Sequence, residues 1–326
     1  MNILHDKDAD VSVLNGKTVA VIGYGAQGRA QALCMRDSGV HVIIGIRPGK
    51  SWDAAAQDGF EVMPVAEAAA KADIIHILLP DEHHGEVYET QIKPNLAAGK
   101  TLCCSHGFAY VFKTIVPPAD VDVIMVAPKG PGTEVRRVFE EGFGCPGLIA
   151  VWQNPSGNAQ QTALAMAKAE GLTRGGVLEC TMQQETYEDL FGEQNVLCGG
   201  LVDLMKYGFE TLNEAGYTAE MAYFECVHEA KLIVDIIYNK GIQAMNSVIS
   251  NTAEFGEYYN GPQILGPEVK EKMKESLKRI ESGEFARVWL AEAAAGAPNL
   301  LAKRAALAEH PVEIVGSKIR SLFERN

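Results

Sequence analysis

The chain has 326 residues, 47% hydrophobic and 22% charged, the composition of an ordinary globular protein long enough for two cores. Its net charge of −13 argues against a nucleic-acid surface or an anionic membrane as partner. A small anionic substrate would then need a local positive centre, either a metal ion or a few Lys and Arg side chains.

The opening stretch "MNILHDKDADVSVLNGK" is polar and acidic, with neither a secretory apolar region nor Arg-rich transit character. No apolar run approaches the ~18 residues of a membrane span. The seven cysteines contain no C-x-x-C pair, so reduced core thiols in a cytoplasmic protein are expected rather than a disulfide framework.

From Lys17 to about residue 180, short apolar runs alternate with helical stretches. The runs "KTVAVIG", "HVIIGI", "DIIHILLP", "KTLCCSHG", "VDVIMVAP" and "GLIAVW" are near-continuous and rich in Ile and Val, as strands buried on both faces are. This rhythm predicts a doubly wound parallel sheet, an α/β Rossmann domain over residues 1–181. Strand signals then stop, and long 3.6-residue patterns predict an all-α domain over residues 182–326. No fixed-period repeat runs through the chain.

"VAVIGYGAQG" places Gly23, Gly25 and Gly28 as G-x-G-x-x-G between a strand and a helix. The first glycine permits the tight turn, the second admits a pyrophosphate, and the third lets helix and strand pack closely. The anion would lie on the helix N-terminus. The next strand ends without the acidic residue that reads a ribose 2′-hydroxyl; "RPGKS" follows instead. Arg47, Lys50 and Ser51 suit a 2′-phosphate, which favours NADPH, with NADH also admissible. Later strand ends should line the same crevice. They carry "LLPDEHH", "SHGF" and "APKGPGT", which brings His106, Lys129 and Gly132 into it.

The helical half raises a different question. In "YFECVHEAKLIVD", Glu225 and Glu229 fall on the same helix side as Met221, Leu232 and Ile236. In "YEDLFGEQ", Asp189 and Glu193 share a face with Val196, Gly200 and Leu204. Both pairs are therefore expected on inward-facing stripes. Carboxylates are seldom buried without compensation, and four together would repel. Two divalent cations would balance them, and all-oxygen ligation suits Mg²⁺ or Mn²⁺. Zinc would want more His or Cys, and a di-iron bundle would need a second Glu-x-x-His beside Glu225 and His228. The expectation is a dinuclear magnesium site at the mouth of the Rossmann crevice, holding a chelating, oxygenated substrate.

"GYGAQG", "LLPDE", "SHGF", "VAPKGPG", "DLFGEQ", "YFECVHE" and "ISNTAE" occur in this order, and with them the chain resembles the short, class I form of ketol-acid reductoisomerase. The resemblance runs from about Lys17 to the C-terminal end. It implies magnesium-dependent alkyl migration in 2-acetolactate or 2-aceto-2-hydroxybutyrate. Reduction by NAD(P)H to a 2,3-dihydroxy-3-methyl acid follows, in valine and isoleucine synthesis. It further implies that Asp189 bridges two Mg²⁺ ions, that Glu193 ligates one, and that Glu225 and Glu229 complete the other's shell. Ser250 would bond the substrate across a homodimer or larger homo-oligomer. His106 would be the catalytic histidine, with Lys129 near the metal waters. The cofactor would touch Tyr24, Gly25, Ala26, Gln27, Arg47, Ser51, Gly132 and Asp81, Glu82, His83 and His84. A knotted helical domain is likewise implied.

The chain departs from the family pattern at four places. Ala26 stands where serine is frequent, and His83 with His84 replaces an apolar–Gln pair. The Arg47 loop is a residue shorter than in many members. Val288 occupies a position where Glu is expected. Two other readings stand beside this one: a metal-free two-domain 3-hydroxy acid dehydrogenase, and a non-enzymatic NAD(P)-sensing protein.

Overall fold

The structure is a computed structural model and describes residues 3–322. The chain folds as two compact units that divide between Glu188 and Asp189.

The first unit is built on nine strands: β1 (Ile3–Leu4), β2 (Thr18–Ile22), β3 (His41–Gly45), β4 (Glu61–Met63), β5 (Ile74–Ile77), β6 (Thr101–Cys104), β7 (Asp122–Pro128), β8 (Gly147–Gln153) and β9 (Val177–Glu179). Their order across the sheet is β1-β9-β8-β7-β6-β5-β2-β3-β4. From β4 to β7 every neighbouring pair is parallel. This part is the doubly wound arrangement whose connection reverses between β2 and β5. β8 runs antiparallel to β7, and β1 antiparallel to β9. The six runs expected from the sequence each contain a strand; β1, β4 and β9, two or three residues long, were not anticipated.

The period-2 alternation of each strand divides its side chains between two cores. Val19, Val21, Ile44, Ile74, Ile124 and Val126 pack on one face with Ala30, Met35 and Met166 from helices Ala26–Asp37 and Ala159–Ala169. Ala20, Ile22, Ile43, Ile75, Ile77, Val123 and Met125 pack on the other with Ala68 and Ala69 of helix Val65–Lys71. Burial on both faces explains why these strands read as unbroken apolar runs.

Among the described residues the second unit contains helices only, including Gly200–Glu214, Glu229–Lys240, Asn251–Ile264 and Pro311–Ser321. Its buried cluster is small: Phe209, Ala222, Tyr223, Val312 and Ile319. The inward stripes expected from the sequence are not inward within this chain. Met221 is 55% exposed, Leu232 50%, Val196 49% and Leu204 45%. The amphipathic periodicity is real, but these apolar faces remain uncovered by the chain's own residues.

Two turns in this unit are wider than α-helical. Glu193–Leu197 and Phe224–His228 are π-helical, with the Cys198 amide reaching the Glu193 carbonyl at 2.9 Å. Such turns are rare and concentrate at functional sites. Here they carry Glu193 and Glu225.

The core reading predicts that Ile22→Ala, at a side chain with no exposure, lowers the unfolding free energy by about 2–5 kcal/mol. Denaturant unfolding followed by circular dichroism measures this.

Candidate functional site

The site in the first unit begins with glycines that admit backbone where a side chain would block it. Gly23 has φ 105°, and a Cβ on it would lie 2.5 Å from the Leu78 carbonyl oxygen, across the switch point from β2 to β5. A Cβ on Gly28 would lie 2.4 Å from the Gly23 carbonyl oxygen. Gly25 faces open space at the start of helix Ala26–Asp37, which leaves the first amides of that helix approachable by an anion. The loop after β7 lies directly on this turn: a Cβ on Gly132 would meet the Ala26 carbonyl oxygen at 2.2 Å. Gln27 reaches across the same contact and donates to the Gly130 carbonyl at 2.9 Å. Tyr24 is buried and donates its hydroxyl to Asp58 at 2.7 Å.

Arg47 is exposed just after β3, and helix Lys50–Gln57 opens with exposed Lys50 and Ser51. This gives a cationic helix start beside the glycine loop's neighbouring strand. Helix Asp81–Val87 follows β5, with Asp81 and Glu82 in its first turn. His83 is exposed, whereas His84 is buried and its Nε2 lies 2.8 Å from the Leu79 carbonyl oxygen. Burial holds the His84 imidazole below its ordinary pKa, so a neutral ring donates that bond and braces the loop from inside.

The ends of β6 and β7 hold the charged part of the site. Glu185, on helix Met182–Gly192, accepts from Lys129 Nζ at 2.9 Å through one oxygen. Its other oxygen lies 3.1 Å from His106 Nδ1 and 3.4 Å from the Gly107 amide. The Glu185 side chain is 1% exposed. Burial alone would raise its pKa, but the hydrogen bond and charge of His106 and the ammonium of Lys129 together hold it below the ordinary carboxylate range. The approach of the helix depends on Gly107, where a Cβ would stand 2.3 Å from Thr186 Oγ1 and 2.4 Å from Met182 Cγ.

Glu185 was missed in the sequence, although the signal is present: Glu185, Asp189 and Glu193 recur every four residues in "ETYEDLFGE". Asp189 follows Glu185 by one turn on the same helix. In the second unit Glu193, Glu225 and Glu229 are exposed and Asp189 half-buried. Ser250 is exposed at the N-cap of helix Asn251–Ile264, its Oγ accepting from the Ala253 amide at 3.1 Å. Val288 is exposed on helix Glu284–Ala294.

A doubly wound sheet with a glycine loop at its switch point, and an ion-paired lysine and histidine at adjacent strand ends, defines an NAD(P)-dependent oxidoreductase. The family follows from comparison with known proteins. Residues 13–176 match the acetohydroxy acid isomeroreductase NADPH-binding domain, and residues 182–325 the ketol-acid reductoisomerase C-terminal domain. The chain is 86% identical, over all of both chains, to the ketol-acid reductoisomerase (NADP(+)) of Akkermansia muciniphila. It is 63% identical, over 99% of each, to the ketol-acid reductoisomerase (NAD(+)) of uncultured archaeon GZfos26G2. It superposes with a TM-score of 0.97, at 62% identity and full coverage of both chains, on an NADH-preferring ketol-acid reductoisomerase from an uncultured archaeon. The chain belongs to the ketol-acid reductoisomerase family and is an oxidoreductase of branched-chain amino acid biosynthesis that uses NAD(P)H.

Two outcomes follow from this geometry. Gly132→Ala must displace the Ala26 carbonyl, and dinucleotide affinity measured by titration calorimetry should fall about tenfold or more, the loss of one or two charge-assisted hydrogen bonds. Because the folded pKa of Glu185 is depressed, its stabilisation is present above the ordinary value of 4.5 and is lost as pH falls through the lowered one. Glu185→Gln should therefore lower stability by about 1–3 kcal/mol at pH 7, with the deficit closing in acid; denaturant melts from pH 7 to 3 read both.

Proposed function

We propose that the protein is a magnesium-dependent isomeroreductase acting on 2-acetolactate and 2-aceto-2-hydroxybutyrate. Alkyl migration is followed by reduction to the 2,3-dihydroxy-3-methyl acid, in the valine and isoleucine pathways. The observation that carries this reading is the buried Glu185, ionised between Lys129 and His106 and one helical turn from Asp189.

The donor set suits the metal. Asp189, Glu193, Glu225 and Glu229 offer only oxygens, all on half-buried or exposed residues, as hard divalent cations with retained waters require. These four residues would hold two Mg²⁺ ions, which supply Lewis acidity at the substrate's oxygens. Glu185 fixes the Lys129 ammonium through one oxygen and His106 Nδ1 through the other, which sets the two side chains in place together. His106 and Lys129 are the proposed catalytic residues, held by Glu185 as hydrogen-bond donors that orient the substrate's oxygens.

NADPH is the proposed reductant, with NADH also accepted. Exposed Arg47, Lys50 and Ser51 favour a 2′-phosphate. The nicotinamide supplies hydride, and the glycine loop with Gly132 binds and orients its pyrophosphate. The boundary between a dinucleotide-binding part and a metal-binding, dimerising part is proposed at residues 181–182. A second copy covers the exposed apolar faces around Met221 and Leu232, because a unit with so small a core leaves a patch that single chains rarely expose. Ser250 would serve the partner's site in that homodimer. Free thiols at all seven cysteines accord with a cytoplasmic location.

The test is NADPH oxidation driven by 2-acetolactate, with and without Mg²⁺. Turnover should vanish with chelator and fall at least about a hundredfold in Glu225→Gln, the scale of losing a metal-held oxygen in the reaction. Turnover indifferent to chelator would overturn the metal reading in favour of a hydroxy-acid dehydrogenase.

A further inference from the structure

The bond from Gln27 to Gly130 is the outer end of a longer chain of side-chain hydrogen bonds that runs into the core of the first unit. Gln31 lies on helix Ala26–Asp37 and is completely buried. Its Nε2 donates to Gln27 Oε1 at 3.0 Å, and Gln27 Nε2 donates onward to the Gly130 carbonyl at 2.9 Å. On its other side Ser105 Oγ lies 3.1 Å from Gln31 Oε1 and 3.2 Å from Nε2 of the fully buried His76. Nδ1 of His76 stands 3.9 Å from the buried carboxyl of Glu170, which closes the chain off in the core.

One assignment of hydrogens gives the links from His76 to Gly130 a donor and an acceptor. His76 Nε2–H donates to Ser105 Oγ, and Ser105 O–H donates to Gln31 Oε1. Gln31 then donates to Gln27, and Gln27 to Gly130. Burial, which drives the His76 pKa down to about 3, keeps the ring neutral as this assignment needs. All donors point toward the Gly130 carbonyl, an arrangement in which each bond polarises the next.

The chain's ends explain its position. Gln27 belongs to the glycine loop. Gly130 follows Lys129, and Ser105 precedes His106. Lys129 and His106 meet again on Glu185. Gln31 thus closes a ring: from the glycine loop to the lysine loop, through Glu185 to the histidine loop, and back through Ser105. A buried glutamine serving only the helix would be expected to satisfy itself locally; this one spans 74 residues to Ser105.

We propose that Gln31 is a positioning residue that locks the dinucleotide loop to the loops carrying His106 and Lys129, so that cofactor binding and the charged cluster share one alignment. The proposal rests on the dinucleotide lying on the glycine loop, as read above.

Gln31→Met keeps the volume and removes the donors. NADPH affinity by titration calorimetry, thermal stability without cofactor, and kcat against KM for 2-acetolactate are measured on this variant and on Ser105→Ala. The dissociation constant should rise about tenfold in Gln31→Met and several-fold in Ser105→Ala, the scale of one or two buried hydrogen bonds. The double variant should be no worse than Gln31→Met, because both cut one chain. Unchanged affinity in both single variants, with or without a loss of thermal stability, would overturn the coupling, as would independent effects that multiply in the double variant. If Gln31→Met does not fold, Ser105→Ala alone decides in the same terms. Gly25→Val separates the two readings. If it still binds NADPH normally, the glycine-loop site itself is wrong; if it loses binding while Gln31→Met does not, only the coupling fails.

Discussion

The site depends on one carboxylate kept ionised out of water. Glu185 is buried, and burial alone favours the neutral acid. The Lys129 ammonium and the His106 imidazole reverse that preference. Taking a charge from water costs several kcal/mol unless partners replace its hydration. Glu185 has three: an ammonium, a ring nitrogen and the Gly107 amide. The same bonds restrict Lys129 and His106, so ionisation and geometry are solved together. Helix Met182–Gly192 can deliver the carboxylate because Gly107 presents no side chain to Thr186 and Met182.

A second constraint is steric. Gly23, Gly28 and Gly132 each stand where an added carbon would fall within 2.5 Å of a backbone oxygen. The three contacts draw β2, β5 and the loop after β7 onto the first turn of one helix. Gly25, facing open space, leaves that turn open to a ligand. Packing density and accessibility are thus settled residue by residue within a single short motif.

Much of the first unit was legible because burial on both sheet faces writes itself as continuous apolar runs. The short edge strands β1 and β4, and β9 beside β1, contain too few residues for a period to register. The glycine loop was legible because its residues are local in sequence. Glu185 was not, although it lies in phase with Asp189 and Glu193; its partners come from loops 56 and 79 residues away. Gln31 was invisible for the same reason, a polar residue among alanines whose partner Ser105 is distant. The stripes holding Glu225 and Glu229 were identified as amphipathic, but periodicity reports that a face is apolar and not what covers it. Met221 and Leu232 remain half exposed for that reason.

The π-helical turns at Glu193–Leu197 and Phe224–His228 have a consequence for redesign. Each accommodates about one residue more than an α-turn. Deleting a residue from either would restore the regular ladder and improve local helix regularity. Because the wide turn absorbs that residue, everything beyond would keep nearly its phase; what changes is the angle between the carboxylate inside the turn, Glu225, and Glu229 just beyond it. Any optimisation that scores helices by propensity alone would favour that deletion. The irregularity is therefore where local folding preference and the placement of carboxylates oppose each other, and an indel there would have far larger effects than a substitution.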